Sequence, residues 1–223
     1  MTIRIAVLAS GRGSNLQAIL DAIADGVLDA QVVGVFSDKP AAEALQRVPP
    51  EQRWAQRPKD FASREAFEAA MGDALAASTP DWIVCAGYMR ILGDVFVARF
   101  RGRLLNIHPS LLPKYRGLHT HQRVLEAGDG EHGASVHFVV PELDAGAVIA
   151  QAPVPVHADD TAASLAARVL QVEHQLLVQV LQWAAAGHIH EQDGIAWRDG
   201  QALFTPPRIE FGTVWNPRPA SGS

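Results

Sequence analysis

The sequence predicts an α/β fold, a doubly wound, mostly parallel sheet with antiparallel edge strands. Three observations carry that reading. Short β-branched apolar runs alternate with segments of helical periodicity over the first half of the chain. A glycine-rich turn follows the first run and opens a helix. After Gly133 the style changes to closely spaced extended runs, as antiparallel strands require.

The elements follow in order. Residues 3–9 (IRIAVLA) form the first strand, and Ser10-Gly11-Arg12-Gly13-Ser14-Asn15 leads into a helix whose apolar face is Leu16, Ile19, Leu20, Ile23 and Val27. Residues 31–37 (QVVGVFS) are a second buried strand, joined to the first as a right-handed parallel βαβ unit. Residues 43–48 read as a weak helix, and the Pro49-Pro50 stretch as irregular. Ser63 can cap a helix carrying Phe67, Ala70, Met71, Ala74 and Leu75, closed by Thr79-Pro80. Residues 82–87 (WIVCAG) and 104–107 (LLNI) give a third and fourth strand. Residues 135–140 and 148–156 read as edge strands around a turn at Leu143-Asp144-Ala145-Gly146. A long amphipathic helix spans 160–186, with Leu165, Val169, Val172, Leu176 and Val180 inward and Gly187 at its end. Asp199-Gly200 marks a hairpin within 197–203. One domain over 1–204 is expected, followed by a flexible Pro- and Gly-rich tail over 205–223.

Composition narrows the function. The 223 residues are 48% hydrophobic and 19% charged, with a formal net charge of -5, which disfavours a nucleic-acid partner. No apolar run approaches the roughly 20 residues of a membrane-spanning helix. Residues 1–4 enter the first strand without a leader-like pattern, and Cys85 is the only cysteine, so a reducing cytoplasm is expected.

Two stretches carry chemistry. Gly11 and Gly13 allow a tight turn at which Ser14 and Asn15 open the helix, leaving N–H groups for a single phosphate. A dinucleotide site is the rival, with Asp38 as its ribose-binding acid, and a non-catalytic module sensing NAD would use the same residues. Against it, Leu16 stands where the third glycine of that fingerprint belongs. In Asn106-Ile107-His108-Pro109-Ser110-Leu111-Leu112-Pro113 the side chains of Asn106 and His108 share one face at the carboxyl end of a strand. An amide donor beside an imidazole can hold an oxygen as it becomes anionic and can move a proton. His119 and His121 lack a third close ligand, and no metal is expected.

These segments, with Gly87-Tyr88-Met89-Arg90-Ile91-Leu92 and Glu142-Leu143-Asp144-x-Gly146, resemble the phosphoribosylglycinamide formyltransferase family in order and spacing from Ile3 to about Leu203. The resemblance implies a Rossmann-like formyltransferase fold. It also implies transfer of a formyl group from 10-formyltetrahydrofolate, a co-substrate, to the amine of glycinamide ribonucleotide in purine biosynthesis. Asn106, His108 and Asp144 match the family's catalytic centre, with Asp144 keeping His108 protonated to higher pH than a free histidine. Gly13, Ser14 and Asn15 match the phosphate grip, and Glu173 the residue that meets the ribose hydroxyls. Arg64, Met89, Arg90, Ile91, Leu92, Asn106, Val140, Pro141, Glu142, Leu143 and Asp144 match the folate site, and Leu112-Pro113 a cis peptide. Arg12 and Arg116 depart from the pattern, and the Arg116-Gly117 pair is similar to the tRNA formyltransferases. Those would be expected to add a C-terminal β-barrel and a basic surface, and the formyltetrahydrofolate hydrolases an N-terminal regulatory domain. The expected partners are small molecules only, with no nucleic acid and no membrane, for a monomer or homodimer.

Overall fold

The computed structural model describes residues 2–212. Its frame is a seven-stranded sheet of β1 (Ile3–Leu8), β2 (Ala30–Ser37), β3 (Arg53–Ala55), β4 (Trp82–Cys85), β5 (Leu104–His108), β6 (Glu131–Phe138) and β7 (Val148–Pro155). The order across the sheet is β3-β2-β1-β4-β5-β6-β7, with the first five parallel and β6 and β7 antiparallel. The direction of winding reverses between β1 and β4, and open sheets of this kind bind ligands at such a point, beyond the carboxyl ends of the strands.

Buried β-branched and aliphatic side chains make β1 a central strand: Ile5, Ala6, Val7 and Leu8 are fully buried, alternating between the two faces. On one face Ile5 and Val7 meet α1 (Ser14–Ala24) and α5 (Ala162–Ala185). On the other, Ala6 and Leu8 meet α2 (Arg64–Ala77) and α3 (Asp94–Arg99) through Phe67, Met71, Leu75 and Phe96. Caps agree with the sequence. Ser63 Oγ accepts the Ala66 N–H, and Thr161 and Ser164 form a reciprocal capping box that starts α5 two residues later than expected.

Several elements differ from the expectations. The segment after Pro49-Pro50 adds the short edge strand β3, and α3 and α4 (Thr120–Ala127) are helices too short for their periodicity to stand out. The small second sheet has two hairpins, with β8 (Ile189–Gln192), β9 (Ile195–Arg198) and β10 (Gln201–Ala202) joined through Asp193-Gly194 and Asp199-Gly200. Both turns have positive φ at Asp and Gly, the geometry that matches strand twist in a two-residue turn.

The first residues of the expected tail meet the sheet. Gln151 of β7 donates its N–H to the Pro207 carbonyl and accepts the Ile209 N–H, while Ile209 and Phe211 pack on the core. An outer strand has unpaired backbone groups, and this segment satisfies some of them. Residues 213–223 of the predicted tail lie outside the described residues.

Candidate active site

The carboxyl ends of β1, β4 and β5 stand side by side, and each releases a loop that the sequence marked. After β1, the turn at residues 10–13 ends in Gly13, whose left-handed backbone precedes α1. Beneath it, Ser10 Oγ donates to Asp38 Oδ1 at 2.6 Å and accepts the Met89 N–H at 2.9 Å. Asp38 is thus a buried support of this turn, and its carboxylate is engaged by Ser10 rather than facing a ribose.

Glu173 comes to the same place from α5. Asn15 Nδ2 donates to Glu173 Oε2 at 2.9 Å, and both side chains are buried. Burial pushes the Glu173 carboxyl up to about 7, against the bond from Asn15. The expected inward stripe of α5 named Val172. At 3.6 residues per turn the line from Leu165 through Val169 passes over position 173, and it is Glu173 that is buried while Val172 is only partly so.

After β4, residues 88–92 form one wall of a pocket, and residues 139–144, between β6 and β7, form the other. Of the expected folate residues, Arg90, Ile91, Leu92, Asn106, Val140, Pro141, Leu143 and Asp144 line it. Met89 contributes its backbone to Ser10 and exposes its side chain, and Glu142 points away to pair with Arg116 at 2.8 Å. Arg64 stands outside the pocket and braces its wall, donating to Glu68 Oε1 and to the Ile91 carbonyl. Glu68 in turn accepts the Gly93 N–H.

Asn106 and Asp144 line this pocket, and His108 lies beside Asp144. Asn106 lies opposite His137 across the β5–β6 pairing. His137 Nδ1 is 2.8 Å from the Phe138 carbonyl, which can only accept, so that nitrogen holds the hydrogen. His137 Nε2 then accepts from Asn106 Nδ2 at 3.0 Å and fixes the amide's orientation. By the same logic His108 Nε2 donates to the Tyr115 carbonyl at 3.0 Å, which leaves Nδ1 toward Asp144 Oδ2 at 3.5 Å. Asp144 adopts a positive φ and accepts the Gly117 N–H at 2.8 Å. Two residues on, Gly146 runs so close to the Phe138 carbonyl that any Cβ would collide with it. The Leu112-Pro113 peptide is cis, as the resemblance implied.

The electrostatics correct one expectation. Burial alone would raise the Asp144 carboxyl, but hydrogen bonding, with the Gly117 N–H at 2.8 Å, outweighs it and holds Asp144 below the usual carboxylate range. For His108, burial dominates and lowers the imidazole below a free histidine, although the Tyr115 carbonyl and Asp144 both oppose it. His108 therefore rests neutral near pH 7 and does not hold its proton to higher pH.

Sequence reasoning missed His137, Tyr88, Cys85 and Val139. His137 was visible only as one residue of a strand, and its role follows from cross-strand register. Burial pushes the Cys85 thiol up to about 12, which keeps it un-ionised at the pocket floor. His121 bonds His132 at 3.0 Å, and among the described residues no group of three His, Cys, Asp or Glu side chains is arranged to hold a metal.

Comparison with known proteins agrees with this geometry. A family model described as formyl transferase matches residues 3–181. Phosphoribosylglycinamide formyltransferase of Escherichia coli (strain K12) is 48% identical over 206 residues, 92% of this chain and 96% of the relative. The trifunctional purine biosynthetic protein adenosine-3 of Drosophila melanogaster is 47% identical over 192 residues, 82% of this chain and 14% of that longer protein. The solved structure of phosphoribosylglycinamide formyltransferase from Coxiella burnetii superposes with a TM-score of 0.88 at 40% identity, covering 94% of this chain and 100% of the other. With the matched residues holding the sheet, the pocket and the Asn106, His108 and Asp144 cluster alike, the chain belongs to the formyl transferase family, among its phosphoribosylglycinamide formyltransferases.

Proposed function

We infer that the chain transfers the formyl group of 10-formyltetrahydrofolate to the amine of N1-(5-phospho-D-ribosyl)glycinamide, giving the N-formyl product and tetrahydrofolate in de novo purine biosynthesis. The observation that carries the reading is the convergence of three loops. The glycine turn after β1 and the pocket walled by residues 88–92 and 139–144 flank Asn106 and His108 at the end of β5 and Asp144 beside them.

A formamide is a weak electrophile, so its carbonyl oxygen needs a donor as the amine attacks. Asn106, its amide set by His137, supplies one. The new bond forms between the amine nitrogen and the formyl carbon while the carbonyl electron pair moves to oxygen. The attacking nitrogen becomes cationic, and its proton has to reach the leaving N10 before the carbon–N10 bond breaks. His108 starts neutral with Nδ1 free toward Asp144. It can take up a proton there as the oxyanion develops, and Asp144 stabilises the resulting imidazolium and, through water, passes the proton on.

In the same reading Gly13, Ser14 and Asn15 hold the substrate phosphate and Glu173 the ribose hydroxyls. Residues 88–92 and 140–144 enclose the pterin, and Arg64 meets the glutamate of the folate. The partners are these small molecules, for a monomer or homodimer working in the cytoplasm without nucleic acid. No described helix is long and apolar enough to cross a membrane. The test mixes purified protein with 10-formyltetrahydrofolate, with and without the ribonucleotide, and follows the absorbance of the product folate. Turnover requires the ribonucleotide. Equal deformylation in its absence identifies a hydrolase instead.

A further inference from the structure

The turn that presents the β1 loop is buttressed from behind by the short helical turn Glu43–Arg47, which is anchored by the buried Ala44 and Leu45. Two carbonyls on the back of the loop accept from it. The Ala44 N–H donates to the Gly11 carbonyl at 3.0 Å, and Arg47 Nε donates to the Arg12 carbonyl at 2.9 Å. Arg47 also reaches past the loop into the first turn of α1, where Nη1 donates to Gln17 Oε1 at 2.6 Å. Packing is tight enough that a Cβ on Gly13 would fall 2.7 Å from Ala44 Cβ and 3.2 Å from Arg47 Nε.

We propose that Arg47 is a positioning residue for the substrate phosphate, acting through the peptide unit that joins Arg12 and Gly13. The inference rests on the reading of this loop as the phosphate site. In a trans peptide the N–H points opposite the C=O. Carbonyls drawn toward residues 43–47 therefore turn the Arg12 and Gly13 N–H groups away from that segment, toward the open side of the loop. A guanidinium bonded to the Arg12 carbonyl also draws electron density from the same peptide unit, which makes the Gly13 N–H a stronger donor to an anion. The cation itself stands behind the cradle, where its charge favours a phosphate without touching it.

The test is steady-state kinetics of the full chain on the ribonucleotide and on the riboside that lacks the phosphate. Arg47→Ala is expected to raise KM for the ribonucleotide about tenfold, the scale of one charge-assisted bond. The expected kcat and KM for 10-formyltetrahydrofolate stay within about twofold. Inorganic phosphate weakens as a competitive inhibitor by the same factor as KM, while kcat/KM for the riboside is unchanged. Arg47→Lys, which keeps the charge and loses the fork, recovers part of the loss. An unchanged ribonucleotide KM overturns the proposal. So does an equal loss on the riboside, which assigns Arg47 to holding the domain together. If Arg47→Ala does not fold, Arg47→Gln takes its place in both assays, and the same two results overturn the proposal. The unsubstituted protein separates the two layers: equal kcat/KM on riboside and ribonucleotide means that the loop is not the phosphate site, whatever Arg47 does.

Discussion

Asp144 holds the Gly117 N–H with the same oxygen, Oδ2, that faces His108 Nδ1, so one carboxylate oxygen joins the loop after β5, the loop after β6 and the imidazole between them. Its value lies in what happens to His108 during turnover. In the resting site burial outweighs Asp144, and His108 is neutral at pH 7.

Asp144→Asn removes the charge with little change of shape. The expected result is a kcat lower by about 10²- to 10⁴-fold, the range of an acid-base group. Affinity for either substrate changes much less, because the charge acts on a proton that arrives in the transition state. NMR titration shows His108 shifted still further below a free histidine. His108→Ala and the double variant cost about the same, and losses that instead multiply assign Asp144 an independent role.

His137 holds the Asn106 amide from across the sheet. His137→Phe fills the space and removes the acceptor, leaving a half-buried amide with only the longer contact to Asp144 at 3.5 Å. A fall in kcat of about 10- to 100-fold is expected, the scale of one unsatisfied polar group, with KM for the ribonucleotide little changed. Equal kcat in the two proteins shows that Asn106 is oriented by other means.

Glu173 carries a stability cost that depends on pH. Its folded carboxyl titrates at about 7, above an ordinary glutamate near 4.3, so between those values the folded state holds a proton that the unfolded state has lost. Stability contributed here is present at low pH and is lost as pH rises through 7, on the order of 3 kcal/mol at full ionisation. Thermal unfolding at pH 5 and pH 8 checks it. Glu173→Gln matches the parent at pH 5 and exceeds it at pH 8, while KM for the ribonucleotide rises. A constant difference between the two pH values removes the linkage.

His132 gives the opposite sign. It is buried against His121, and burial lowers it to about 4, below a free histidine near 6.5. The unfolded state therefore binds the proton first, and stability falls as pH drops from about 6.5 toward 4. His132→Gln is expected to flatten the acid limb of a denaturation curve between pH 7 and pH 4.5. An unchanged slope shows that other groups set it.

The sequence made the parallel core legible because its strands are buried on both faces and read as unbroken apolar runs, as residues 3–9 and 82–87 do. Asn106 and His108 were legible because a two-residue spacing on a strand fixes a shared face. His137 was not, because cross-strand neighbours depend on a register that forms only when β6 pairs with β5. Arg47 was hidden for a related reason: its partners, Arg12 and Gln17, lie about 30 residues away across a βαβ crossover. The resting state of His108 was misread because a carboxylate neighbour is visible in a sequence, whereas the depth of burial that opposes it is not.

The pairing of Pro207 and Ile209 with Gln151 has a consequence for how the molecule meets other molecules. The sheet ends at β7, whose outer side is a row of backbone donors and acceptors open to any extended chain. Residues 207–209 occupy part of that row, and Arg208 adds an ion pair with Glu131 at the neighbouring strand. A chain cut ahead of Pro207 would keep every residue of the pocket and yet expose a longer, flatter edge. Its fault would show as self-association at high concentration while dilute samples still turned over substrate.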